Sequence, residues 1–208
     1  MDSRPKISER HRKELLRFLL QKTAPVRIGI KPGELLRVRH CYSQENKEGF
    51  RYCLYRNDVY EILGLEFIEL LCEKDSSLVL FYDRETLSNT LARPESATFL
   101  KSCGYILPSD ADALLLQLQR RFAASGGLCH EVGVFIGYPV KDVFGFMNSL
   151  KSTPGHNTPW RIFGDAAESL RLASAYRHAE EIAHSALDAT ASIQGFIQLC
   201  AGLRLAKT

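Results

Sequence analysis

The 208-residue chain has one tryptophan and two methionines, and no part of it is both long and apolar. Its longest uncharged segment, Ala189 to Leu203, carries Thr190, Ser192, Gln194 and Gln198. That falls short of the ~20 apolar residues a bilayer-crossing helix needs. The amino terminus is charged from Asp2 onward and lacks the apolar stretch of a secretory signal. Six cysteines (Cys41, Cys53, Cys72, Cys103, Cys129 and Cys200) form no Cys-x-x-Cys and no zinc-ligand spacing with histidine. Scattered thiols of this kind predict a soluble cytoplasmic protein whose cysteines stay reduced and mostly buried. A glycine-rich phosphate loop is missing. So is His-Glu-x-x-His, because Val134 stands where the second histidine would be. Glu181 and His184 supply half of a di-iron helix motif, but no second Glu-x-x-His exists. These two are therefore expected on a solvated face. No metal site is expected, and no cofactor is specified.

What is present suits one globular domain. Hydrophobic residues make up 45% and charged residues 25%, which is enough apolar matter for a core. The net charge of +3 hides an asymmetry, since residues 1–40 hold 11 Lys/Arg against 4 Asp/Glu. Arg4, Lys6, Arg10, Arg12, Lys13 and Arg17 have no aromatic residues between them, so the stacking surfaces of single-strand nucleic-acid binders are absent. Nucleic acid is disfavoured, and weak polyanion binding through this basic segment is a minor alternative.

The spacing Leu15/Leu19 and Leu16/Leu20 predicts a helix over 8–22. Lys31 to Arg39 reads as a second short helix with Pro32 in its first turn. Residues 41–58 read as a surface loop or a hairpin. Leu65 to Cys72 and Leu78 to Tyr82, separated by a polar turn, predict a β-hairpin. Helices are expected after Asp83, from Pro94 to Gly104, and, capped by Ser109 or Asp110, up to Phe122. Cys129 to Ile136 is expected to be a strand, Gly137-Tyr138-Pro139 a turn, and Val140 to Met147 a helix. Trp160 to Phe163 is expected to be another strand, followed by Gly164 and a helix capped by Asp165 with Glu168. The fold class is α/β or α+β, a small mixed sheet of about four strands covered by helices. Residues 1–190 form a single domain in this reading. Residues 191–208, with Ile193, Phe196, Ile197 and Leu203 at helical spacing, form an amphipathic helix docked on it or on a partner.

The segment His130-Glu131-Val132-Gly133-Val134-Phe135-Ile136-Gly137-Tyr138-Pro139-Val140-Lys141-Asp142-Val143-Phe144-Gly145-Phe146 resembles the pattern HEIGxFLGYPxxDVxGF of an uncharacterised bacterial family, domain of unknown function 3793. Ala24-Pro25 with Gly29-Ile30-Lys31-Pro32 is similar to that family's amino-terminal stretch, and Trp160-Arg161-Ile162-Phe163-Gly164-Asp165 to its downstream one. The likeness spans roughly residues 20–180, so the chain beyond Asp188 looks like an addition. Thr23 and Asn157-Thr158 stand where the family often has cysteine. Thiol chemistry implied by the resemblance would be missing here. The family carries no activity to transfer, so enzyme or not stays open.

Two clusters are candidates for a site. On an extended 129–136 segment alternate side chains face opposite ways, and Glu131 and Tyr138 lie ~23 Å apart. This reading separates His130 and Glu131 from the turn cluster Gly137, Tyr138, Lys141 and Asp142, with Gly164 and Asp165 at the second junction. Ligands of open α/β sheets sit beyond strand ends, and helix starts attract anions, which favours the turn cluster. His156 is a loop histidine, read either as an acid or base or as a residue with no role. The expected function is binding of a small-molecule or anionic ligand. The alternative is a non-catalytic interaction module whose carboxy-terminal helix joins a partner or a second copy into a homo-oligomer.

Overall fold

The computed structural model describes residues 9–39, 63–74 and 76–189. Eleven elements are described: α1 Glu9–Lys22, α2 Ala24–Arg27, β1 Gly33–Arg39, β2 Glu66–Cys72, β3 Ser76–Tyr82, α3 Arg84–Leu91, α4 Pro94–Ser102, α5 Ala111–Ser125, α6 Val132–Phe135, α7 Val140–Met147 and α8 Ala167–Ala189. The fold mixes helices with one small sheet, as expected for the class. That sheet is antiparallel throughout, rather than mixed, and has three described strands in the order β1-β3-β2.

The central strand explains the layering. Every residue of β3 is buried. Its side chains alternate between two cores, because successive residues of a strand face opposite ways. Leu78, Leu80 and Tyr82 join Leu87, Leu100, Leu118, Phe122 and Phe135 on one face. Val79 and Phe81 join Leu16, Leu19, Leu20, Ala183 and Leu187 on the other. The sheet thus lies between α1 with α8 and the helices α3 to α7. A strand covered on both faces reads as a continuous apolar run. Each fully buried large side chain in these layers contributes ~1.5–3 kcal/mol. In β2 the register against β3 shifts between Glu69 and Leu71. This irregularity lets Ile68, Leu70 and Leu71 all meet the same core.

Local chemistry accounts for the helix starts. Asp83 caps α3 by accepting from the Thr86 N–H at 3.0 Å and the Thr86 hydroxyl at 2.6 Å. Asp110 caps α5 through the Ala113 N–H at 2.8 Å, and Gly126 closes that helix at φ +63°. The chain before α8 turns on Asp165, whose Oδ1 accepts from the Ala167 N–H at 3.2 Å.

Three expected elements are different. Residues 33–39 are a strand, not a helix, because pairing with β3 (Gly33 opposite Tyr82, Arg39 opposite Ser76) overrides the helix-start signal of Pro32. Residues 129–136 are not a strand. Hydrogen bonds from the N–H groups of Val132, Gly133 and Val134 to the carbonyls of Cys129, His130 and Glu131 wind them into a turn that leads into α6. All of Val132–Phe135 is buried, and a short buried apolar run has no periodicity that separates strand from helix. Residues 160–163 are irregular and bury Ile162 and Phe163. Two expected strands are thus lost and one is gained, so the described sheet has three strands where about four were expected.

No described helix is long and apolar enough to cross a membrane. Cys72, Cys103 and Cys129 are free thiols. Glu181 and His184 are exposed on α8, as expected. The 41–58 segment, the helix expected over 191–208 and the side chains of the first basic residues lie outside the described residues. Arg17, which is described, donates to the Leu187 carbonyl at 2.9 Å and pairs with Asp188, tying α1 to α8.

Candidate functional site

The site grows from the α6–turn–α7 unit. Gly133 admits Val143 so closely that a Cβ there would sit 2.7 Å from Val143 Cγ2. Gly137 turns the chain at φ +81°, where its carbonyl accepts the Tyr176 hydroxyl at 3.0 Å. Because α6 is one tight turn, the Tyr138 N–H reaches the Gly133 carbonyl at 2.8 Å. Folding back in this way abolishes the ~23 Å separation that an extended strand implies. His130, Tyr138 and Asp142 consequently line one cavity, and the sequence reading that kept them apart is corrected.

That cavity has a volume of about 420 Å³ and lies between the start of β1, α6, α7 and the 159–161 segment. Leu35, Leu128, Val132, Ile136, Val143 and Phe146 give it an apolar lining. Tyr138 and Trp160 stack in its wall with centroids 4.3 Å apart. Its remaining polar groups are Glu34, His130, Asp142 and Arg161. A volume of this size with few polar groups suits a small organic ligand.

The polar groups have distinct states. Asp142 is 2% exposed and saturated with donors. Its Oδ1 accepts from Lys141 Nζ at 2.7 Å and the Phe163 N–H at 2.9 Å, its Oδ2 from the Ser169 hydroxyl at 2.5 Å and Trp160 Nε1 at 2.8 Å. Burial alone would raise this carboxyl, but those hydrogen bonds outweigh it and hold the group below the usual aspartate range. Asp142 ties α7, α8 and the 160–163 segment together. Glu34, on β1, pairs with the buried Lys31 at 2.5 Å. Burial pushes the Glu34 carboxyl up, and Lys31 opposes the shift. Lys31 Nζ also lies 5.1 Å from the Tyr176 ring centroid and 5.9 Å from that of Tyr138. Burial raises the Tyr138 phenol, with Glu34 adding to the effect, and it raises Tyr176 to about 12. Both phenols stay protonated as donors at neutral pH.

Of the residues singled out in sequence, His130, Tyr138 and Asp142 reach this cavity. Gly137 and Tyr138 border a second, smaller one of about 160 Å³ on the side of Pro32, Arg93 and Ser96. Lys141 is held by Asp142, by the Phe163 carbonyl at 3.1 Å and by the Ser169 hydroxyl at 2.9 Å. Gly164 and Asp165 are exposed on the loop before α8. Glu131 is buried on the opposite side of α6, where its Oε1 accepts from Arg121 Nε at 2.6 Å and faces the Tyr105 hydroxyl at 3.5 Å. His156 is exposed on its loop. Among the described residues no group of three or more His, Cys, Asp or Glu is placed to hold a metal ion.

Sequence reasoning missed Glu34, Arg161 and Phe146 as cavity residues. A signal for Glu34 existed in Lys31-x-x-Glu34, an opposite-charge pair beside a proline and a glycine, but it was absorbed into the expected helix. Arg161 and Phe146 gave none, because only the tertiary approach of the 159–161 segment to α7 brings them together.

No curated protein and no solved structure matches the chain. A family model matches residues 19–197, so the likeness runs past Asp188 and the chain there is not simply an addition. The chain therefore belongs to the family described as protein of unknown function DUF3793.

Proposed function

We propose that this protein binds a small, largely apolar molecule in the cavity between β1, α6, α7 and the 159–161 segment. The observation that carries this reading is one space of about 420 Å³ where an apolar lining meets a few polar groups, among them Glu34, His130 and Arg161. The anion site expected at the start of α7 receives no support, because the chain's own Asp142 and Lys141 satisfy each other there. The turn residue Tyr138 keeps its place in the reading as a wall of the cavity. Six cysteines scattered without a Cys-x-x-Cys pattern support a reducing, cytoplasmic setting.

The test uses Trp160, the single tryptophan of the chain, as its reporter. The neutral fluorophore N-phenyl-1-naphthylamine is titrated into the intact protein while Trp160 emission is followed. Saturable quenching with one molecule bound per chain is expected. Linear, unsaturable quenching, or none, would sink the reading. Native mass spectrometry of protein purified from its own host then identifies the physiological ligand.

A further inference from the structure

We propose that the mouth of this cavity selects molecules that carry an anionic group, so that the ligand is an apolar body with a carboxylate or a similar oxyanion at its outer end. This rests on the cavity being a ligand site, and adds which ligands it prefers.

The charges around the cavity decide the argument. Its two carboxylates are already compensated: Asp142 by Lys141 and three further donors, and Glu34 by Lys31. The two basic groups are not. Arg161 and His130 are exposed, and both lie against the same ring, Phe146. The Arg161 guanidinium is 6.0 Å from that centroid, and the His130 imidazole is 4.9 Å away, edge to face. Among the described residues neither side chain makes a hydrogen bond or an ion pair. A guanidinium resting on an aromatic face keeps its edge N–H groups free, and that edge matches a carboxylate or phosphate bidentately. Leu128, 52% exposed, and Phe146, 42% exposed, complete an apolar rim that lowers the local dielectric around the cation. The sum is a pocket with an apolar interior and one uncompensated positive rim.

A matched pair of probes tests this. The anion 8-anilinonaphthalene-1-sulfonate has the same aromatic body as N-phenyl-1-naphthylamine plus a sulfonate, which stands in for the oxyanion. Both are titrated against the full chain, the Arg161→Gln and Arg161→Lys variants, and Arg120→Gln as a control for an exposed arginine outside the cavity. The sulfonate is expected to bind the native chain about tenfold more tightly than the neutral probe, a charged hydrogen bond's worth of affinity. Arg161→Gln removes that preference by weakening the sulfonate about tenfold more than the neutral probe. Arg161→Lys keeps part of it, and Arg120→Gln keeps all of it. Equal binding of the two probes, or equal loss of the preference in Arg120→Gln, overturns the proposal while the cavity reading stands. Failure of both probes to bind overturns the two together.

Discussion

Trp160 donates its indole N–H to Asp142 Oδ2 at 2.8 Å while its ring stacks on Tyr138, so one side chain locks the buried carboxylate and shapes the cavity wall. Asp142→Asn keeps the volume but removes the charge and turns one acceptor into a donor facing donors. A loss of ~1–3 kcal/mol at neutral pH is expected, read as ~2–4 °C of melting temperature per kcal/mol. The pH dependence has a definite sign. A carboxyl held below its ordinary 3.8 in the folded state contributes stability above that value and loses it as pH falls through the folded value. The gap between native and Asp142→Asn melting temperatures therefore narrows as the pH drops below 3.8. An equal gap at pH 7 and pH 3 would refute the role given to the charge.

The same residues show what the sequence can and cannot reveal. Asp83 and Asp110 were legible as caps because capping is local chemistry: the side chain bonds an N–H three residues away. The hairpin was legible for a related reason, since β2 and β3 are joined by a short polar turn. Residues 33–39 were not, because their partner is β3, more than thirty residues later, and nothing near Gly33 announces it. In 129–136 the pattern was ambiguous, and the wrong period separated His130 from Tyr138. The motif around Tyr138 and Asp142 supplies two of the residues that line the cavity, but the Asp142 carboxylate is occupied by its own chain. Glu34 and Arg161, which face the cavity, come from distant segments.

Lys31 and Glu34 form a nearly buried ion pair whose halves depend on each other, with side chains 6% and 14% exposed. Lys31→Met strands the carboxylate, and a cost of about 3 kcal/mol at neutral pH is expected. Glu34 is already raised from 4.5 by burial, and losing Lys31 raises it further. For a carboxyl whose folded value is raised, stability is complete below the unfolded value and is lost as pH climbs through the folded one. Urea unfolding should thus find Lys31→Met closest to the native chain near pH 4 and furthest from it above pH 7. Lys31→Met with Glu34→Leu should recover most of the loss. A double variant as weak as the sum of its singles would show that the two residues do not act as a pair.

Glu131 sits in the same motif as Tyr138 yet faces away from the cavity, toward Arg121 and Tyr105. Its carboxylate holds α5 against the turn before α6. Glu131→Gln is expected to cost ~1–2 kcal/mol and to leave the affinity for N-phenyl-1-naphthylamine within experimental error. Chemical denaturation and the fluorescence titration, run on the same sample, check both halves. A variant with native stability but lost binding would place Glu131 in the site instead of in the frame.

Gly137 and Gly164 have similar backbones and opposite surroundings. Their φ angles are +81° and +69°, a region where a side chain costs roughly 1–2 kcal/mol. A Cβ on Gly164 would meet nothing within 4 Å, so Gly164→Ala should show that conformational cost alone. A Cβ on Gly137 would lie 2.6 Å from Pro32 Cδ and 2.8 Å from the Tyr176 hydroxyl. Neither neighbour can yield cheaply: the proline is a rigid ring at the entry to β1, and the hydroxyl is bonded to the Gly137 carbonyl. Overpacking adds ~1–3 kcal/mol, so Gly137→Ala should be the more destabilised variant by that margin. It should also perturb Trp160 emission, since Tyr138 follows directly and stacks on that indole. Equal melting temperatures for the two alanine variants would mean that the contact with Pro32 and Tyr176 relaxes freely, and that the turn does not hold Tyr138 in the cavity wall.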